Sequence, residues 1–500
     1  MKAGLNLYRE PLTLISIINQ RFPKNPIFEP SYLPPNLKPK KKILILLPDG
    51  VGLRNFAFTS FVEIGEQMDW EVIFWNHTPF DLEELGYKEI KLKGNAWAKT
   101  DLLKRAKIEA ELDHFTEKFR DPVYQTYKFR ASNKNLRGKV KAGIAQGLVT
   151  THKGEKGLHK LRTKMKSSER KGDYYQKCKT VLEKENPDFI FCTNQRPVNA
   201  IAPLTAAQDL GIPTSTFIFS WDNLPKATMV VETNYYFVWS RYMQEELLTY
   251  YPHINAEQVL ITGSPQFEPH FDLSLRQGRE DFFKEQGLDL AKKYICFSGD
   301  DITTSPDDPQ YLNDLAQVIR NLNSEGHKLR IIFRRCPVDF SDRYDKVLKK
   351  HKDLIISIAP KWMKAGESWN SVLPTKEDLQ LQINTILHSE AVVNLASSMV
   401  FDFAVFGKPC LYLNYEAEEK NKPAWSPGKV YNFVHFRSMP TGEEVFWLNS
   451  KEEIETKLEE ALKNPGKKVV QAMEWLNKIN IDPADKASFR IWKQIDKIIN

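Results

Sequence analysis

Residues 391–414, AVVNLASSMVFDFAVFGKPCLYLN, divide into short pieces of contrasting character. The apolar run Ala391 to Asn394 predicts a buried strand, and Ala396, Ser397 and Ser398 a small polar turn. Met399 to Phe406 predicts a short helix, Gly407-Lys408-Pro409 its stop, and Cys410 to Leu413 a second buried strand. Two such strands joined by a helix make a βαβ unit. The helix start offers unpaired backbone N–H groups where the first strand ends, and two serines add hydroxyl donors without bulk, a combination suited to phosphate. Asp402 lies about one helical turn past Ser398, within reach of a sugar or ribose hydroxyl. The plainer alternative makes Ser397 a helix cap and Asp402 a solvated helix residue.

The pattern Ser-Ser-x-x-x-Asp-Phe-Ala, followed by Gly-Lys-Pro and an apolar strand, resembles the donor half of GT-B glycosyltransferases. It most resembles the sugar- and polyol-phosphate transferases of cell-surface polymer synthesis, including the CDP-glycerol glycerophosphotransferase group. VWS at 238–240, a helix, and then TGSPQF at 262–267 resemble the end of a GT-B N-terminal domain. The resemblance covers about residues 41–470. It implies an α/β fold of two Rossmann-like domains facing a central cleft, with a nucleotide-diphosphate donor in the second domain and an acceptor in the first.

Composition sets outer limits. A chain of 500 residues with 41% hydrophobic content can fill two cores, a mean hydropathy of −0.47 predicts a soluble protein, and no run approaches the ~18 apolar residues of a membrane span. The opening MKAGLNLYREPLTL has no long apolar core or small-residue cleavage site, so a cytoplasmic chain is expected, with attachment to the inner face of the membrane as a further expectation. The cysteines, 178, 192, 296, 336 and 410, are odd in number and scattered through apolar runs, which predicts reduced core residues. No CxxC or HExxH stands in the chain, and the paired carboxylates Asp300-Asp301 and Asp307-Asp308 are adjacent rather than alternate. No metal and no cofactor is therefore expected, the nucleotide-sugar being substrate.

The net charge of +7 is unevenly spread: Asp101 to Thr180 holds 21 Lys and Arg against 9 Asp and Glu, so the remaining residues sum to about −5. This helical stretch, about 99–185, interleaves cations with Phe115, Phe119, Tyr124, Tyr127, Phe129, Tyr174 and Tyr175. A solvated insertion is the plain reading. An anionic membrane or lipid-linked acceptor that meets the aromatic residues and lysines comes next, and nucleic acid is not expected because no binding motif accompanies the charge.

Residues 1–40 read as an extended arm ending in PSYLPPNLKPKKK. The first domain, 41–268, opens with strand Ile43 to Pro48, the turn Asp49-Gly50-Val51-Gly52, helix Asn55 to Gln67 and strand Trp70 to Trp75. Its glycines are not the GxGxxG of a dinucleotide site. Asp49 and His77 fall at carboxyl ends of strands, where open α/β sheets place ligands, and either can serve as a general base. A cap for Asp49 and a polar loop for His77 are the alternatives. Asp222, in the loop after strand Pro213 to Ser220, is a third candidate base.

The second domain, 269–470, opens with helix Leu275 to Gln286 and strand Tyr294 to Ser298. Gly299, at the end of that strand, joins the donor-binding set. Strand Leu329 to Arg334 ends in Arg335-Cys336-Pro337, where the resembling family often carries an Arg-x-His-Pro-like turn; here Cys336 takes the histidine's place. Arg334 and Arg335 suit a leaving diphosphate, since guanidinium binds phosphate oxygens in pairs, and alternation favours Arg335 facing the cleft. The helices of 471–500 follow, and the resemblance implies that some of the last helices pack back on the first domain. Three functions stay open: a glycosyltransferase acting on a surface polysaccharide or glycolipid, a polyol-phosphate transferase or nucleotide-sugar epimerase on the same fold, and a non-catalytic nucleotide-sugar binding protein.

Overall fold

In the computed structural model, which describes residues 40–128, 136–364 and 372–500, the apolar run KKILILL forms β1 (Lys41–Leu47), an interior strand of a seven-stranded sheet. The other members are β2 (Trp70–Asn76), β3 (Glu89–Lys91), β4 (Phe189–Cys192), β5 (Thr214–Phe217), β6 (Tyr235–Val238) and β7 (Val259–Ile261). They run in the order β3-β2-β1-β4-β5-β6-β7, and every pair is parallel. Alternation along β1 sends Ile43, Ile45 and Leu47 to one face and Leu44 and Leu46 to the other. Both faces are buried, which is why these strands read as continuous apolar runs.

The face carrying Leu44 and Leu46 is covered by helices Ala98–Phe119, Gly154–Glu169, Asp173–Glu185 and Ile201–Asp209, through Leu103, Ala106, Leu161, Met165, Cys178 and Ala206. The basic stretch is thus a structural layer of the first half and not a solvated appendage. Its aromatic residues are core: Phe115, Tyr124, Tyr127, Tyr174 and Tyr175 are buried, and Phe119 packs against them. They are unavailable to a lipid surface, because at helical spacing they fall on the inward side. Phe129 lies outside the described residues, as do 1–39 of the expected arm. Inside this layer Lys107 and Glu111, fully buried, pair at 2.5 Å.

The helix expected from Asn55 to Gln67 is broken into Leu53–Phe56 and Phe61–Gln67. Thr59 explains the break: its hydroxyl donates to Asn55 O at 2.7 Å and accepts from Phe61 N at 3.3 Å, so a side chain competes with the helical ladder.

The second sheet contains β8 (Lys293–Ser298), β9 (Leu329–Arg334), β10 (Ile355–Ser357), β13 (Ala391–Asn394), β14 (Cys410–Leu413) and β15 (Phe446–Leu448), in the order β10-β9-β8-β13-β14-β15 and again all parallel. A two-stranded antiparallel hairpin, β11 (Met363–Lys364) with β12 (Val372–Leu373), stands apart from both. Between β7 and the second half the chain runs through the 3-10 segment Pro265–His270.

After the second sheet the chain returns to the first half. Helix Gly466–Ile479 lies by helix Arg241–Tyr250, and Ile481 N donates to Trp239 O at 2.9 Å. Helix Ala487–Ile499 seats Trp492 against Phe61 and Trp70, its indole donating to Phe61 O at 2.6 Å. The N-terminus of that helix is held by Glu268, whose carboxylate accepts from the backbone and the hydroxyl of Ser488.

Candidate active site

The carboxyl ends of the strands carry the polar side chains. After β1, Asp49 accepts from Val51 N at 3.2 Å, capping the turn Gly50–Gly52, and from Asn194 Nδ2 at 3.0 Å, which arrives from the end of β4. Burial pushes the Asp49 carboxyl up, against the lowering pull of Asn194, Val51, Arg196 and His77. Burial also pulls Lys104 down; Asp101 and Asp49 oppose this and Arg196 adds to it. Asp49 therefore sits amid three basic side chains, with His77 fixed by its Nε2 donating to Gly94 O at 2.7 Å. Cap and basic setting coexist at Asp49.

Asp222 stands elsewhere in the first half. Burial opposes its ionisation, but Lys226, which also bonds it directly, outweighs burial and holds the carboxyl below the usual range. A carboxylate so paired is a weak base, which corrects its reading as a candidate base. His435, from the second half, is pushed down to about 3 by burial. Beside it Trp221 meets Phe401, His435 and Trp475 with ring centroids 5.5, 4.7 and 5.7 Å away, an aromatic contact that joins the two halves. A second junction lies at Gly50, where a Cβ would fall 1.8 Å from Leu373 Cδ2 of the hairpin.

In the second half, β13, the turn and helix Met399–Val405 lead into β14, which pairs in parallel with β13. The turn takes its shape from Ala396 in the left-handed region (φ 58°) and from Asn394, whose side chain accepts from Ser397 N at 2.9 Å. Ser397 is half-buried and its hydroxyl accepts from Met399 N at 3.3 Å, while Ser398 is exposed and makes no side-chain capping bond. The two serines thus differ: one closes the helix start and the other points its exposed side chain outward.

Asp402 departs from expectation. It is buried, with 9% of its side chain exposed, and Oδ1 lies 2.6 Å from Nε2 of the fully buried His270. The carboxylate is therefore not a freely solvated one.

Arg334 is buried and gives Nη2 to both oxygens of Asp378, at 2.9 and 2.7 Å. Asp378 also accepts from Lys361 N and Trp362 Nε1, so this charge anchors the approach to the hairpin. Arg335 is half-buried, its guanidinium 5.5 Å from the Tyr344 ring. Gly299 has a packing reason: a Cβ there would stand 2.8 Å from the Tyr344 hydroxyl. That hydroxyl donates to Asp308 at 3.0 Å, and Asp308 also accepts from Asp300 N. Asp301 is held by Thr303 and Thr304. These acids tie down the loop after β8, and among the described residues no three His, Cys, Asp or Glu are grouped to hold a metal ion.

No protein-family model and no curated protein matches the chain. Solved structures do. A putative UDP-N-acetylglucosamine 2-epimerase from Listeria monocytogenes is similar over 92% of this chain and 97% of its own, with a TM-score of 0.53 at 10% identity. A second UDP-N-acetylglucosamine 2-epimerase is similar over 92% and 96%, with a TM-score of 0.51 at 11% identity. The fold is GT-B. Asp49, His77 and Asn194 follow strands of the first sheet, and Arg335, Ser397 and Ser398 follow strands of the second.

Sequence reasoning passed over Asn194, Lys104, Arg196 and His270 as site residues. Asn194 and Arg196 stand in the edge loop after β4, the same positional signal that singled out Asp49. His270 carries no such signal, since its partner is 132 residues away.

Proposed function

We propose that this GT-B protein is an enzyme acting on a nucleoside-diphosphate sugar, with the diphosphate against Ser397, Ser398 and Arg335 and the sugar toward Asp49 and His77. The observation that carries this reading is the β13–turn–helix unit, which sets an exposed serine hydroxyl at the carboxyl edge of the second sheet with Asp402 behind it. Hydrogen bonds from hydroxyls and guanidinium to a diphosphate are charge-assisted and hold it firmly.

Epimerisation at the sugar is the chemistry favoured first, because the similar folds are those of UDP-N-acetylglucosamine 2-epimerases. Carbon 2 has no neighbouring carbonyl to make its hydrogen acidic, so loss of that proton goes with loss of the nucleoside diphosphate from carbon 1 to leave a double bond. Return of the diphosphate to carbon 1 with a proton to the opposite face of carbon 2 completes the inversion; removal and return of the proton each need an acid–base group. Asp49, raised by burial and close to His77, supplies one carboxyl and one imidazole for those roles. Transfer to a glycan or lipid-linked acceptor is the second reading, favoured by the motif running from Ser397 to Pro409; transfer of a polyol phosphate shares it.

Incubation with UDP-N-acetylglucosamine in deuterium oxide, without acceptor, separates them. Deuterium at carbon 2, seen by proton NMR, supports epimerisation. Nucleotide release from UDP-, GDP-, CMP-, CDP- or dTDP-linked donors only on addition of acceptor supports transfer, with CDP release marking the polyol-phosphate case. No calorimetric binding of any of these donors would sink the enzyme reading.

A further inference from the structure

Helix Leu136–Thr151 turns an apolar strip away from the protein. Ala145 and Val149 lie inward, and the helix packs on helix Ala98–Phe119. On the opposite side, at helical spacing, stand Val140, Gly143, Ile144 and Gly147, all exposed, with Val140 54% and Ile144 50% accessible. Lys139 and Lys141, both exposed, flank the strip. The next helix adds Lys156 and Lys160 to its own outer face. Its acids do not offset them: Glu155 lies 3.0 Å from His114, and Glu169 is buried, accepting from Trp97 N.

We propose that this face docks on an anionic lipid surface, with Val140 and Ile144 entering the headgroup boundary and the lysines meeting lipid phosphates. An apolar strip between cations is the pattern of a helix lying in the membrane interface. Among the described residues no helix is long and apolar enough to cross a membrane, so the contact is one of lying on the surface. A second copy of the chain fits poorly, because it would bring two lysine-rich faces together. A soluble polyanion would engage the lysines and leave the two apolar side chains without a role. The inference holds whichever chemistry the cleft performs.

Flotation of the full chain with vesicles of phosphatidylcholine alone, and with phosphatidylglycerol in equal part, tests it at low and high salt. Recovery is expected with the anionic vesicles at low salt and is expected to fall as salt screens the lysines. Lys139→Glu/Lys141→Glu and Val140→Ser/Ile144→Ser, all at exposed positions, are each expected to lower the bound fraction about tenfold or more. Equal recovery with neutral and anionic vesicles would overturn the proposal. So would a lysine variant that loses binding beside an apolar variant that keeps it, because the face would then be one for a soluble polyanion such as nucleic acid.

Discussion

Ser397 and Ser398 are adjacent yet make different contacts, and this separates two effects that a double substitution would merge. Ser397 accepts from Met399 N, so Ser397→Ala is expected to cost about 1 kcal/mol of stability as well as nucleotide affinity. Ser398 has no such bond, so Ser398→Ala is expected to lower affinity with the melting temperature unchanged. Replacing both should weaken binding of the matching nucleoside diphosphate by about two orders of magnitude, measured by calorimetry. Unchanged affinity would remove the donor-site reading. At Asp49, where Asn194 holds the carboxyl, Asp49→Asn is expected to keep donor binding and lower turnover about 100-fold or more in a steady-state assay. Asp49 was legible as the residue after an apolar strand. That Asn194 meets it, and that His270 meets Asp402, was not, because such pairings arise only once distant strand ends are brought together.

Among the elements, the strands that sequence patterns find are those buried on both faces, such as β1 and β13, whose apolar runs have no other use. Glu89–Lys91 and Phe446–Leu448 went unnoticed because each is a three-residue edge strand. The basic helices misled for a different reason: charge dominates their composition, while Leu103, Ala106 and Ala110, at three- and four-residue spacing, mark the buried side. The hairpin β11–β12 shows how an element is held from below. Its approach is fixed by Asp378, which takes Arg334 and two N–H donors, and its end, Leu373, rests on Gly50. Asp378→Asn leaves the buried Arg334 without its counter-charge and should destabilise the fold by about 3 to 5 kcal/mol in chemical denaturation. Faster hydrogen exchange at Lys364 and Leu373 is the local sign to look for.

For the molecule as a whole, the crossing segment Pro265–His270 ties three parts together: Glu268 holds the last helix and His270 holds the helix bearing Asp402. Burial pushes the Glu268 carboxyl up to about 7, against the hydrogen bonds from Ser488 and Ser60. Since this lies above the unfolded value near 4.5, the folded chain keeps a proton that the unfolded chain releases. The stabilisation is complete below about pH 4.5 and is lost as pH rises through about 7, by at most about 3 kcal/mol. Melting curves taken between about pH 5 and pH 8 should therefore slope less in Glu268→Gln than in the parent chain. An equal slope in both would place the proton elsewhere. The seat of Trp492 on Phe61 and Trp70 has a bearing on biosynthesis. The ribosome delivers Phe61 431 residues ahead of Trp492, so during translation this face of the first sheet waits uncovered until the second half has emerged. Nascent chains stalled before residue 487 would then present Phe61 and Trp70 to chaperones, and only emergence of helix Ala487–Ile499 lets the first half close.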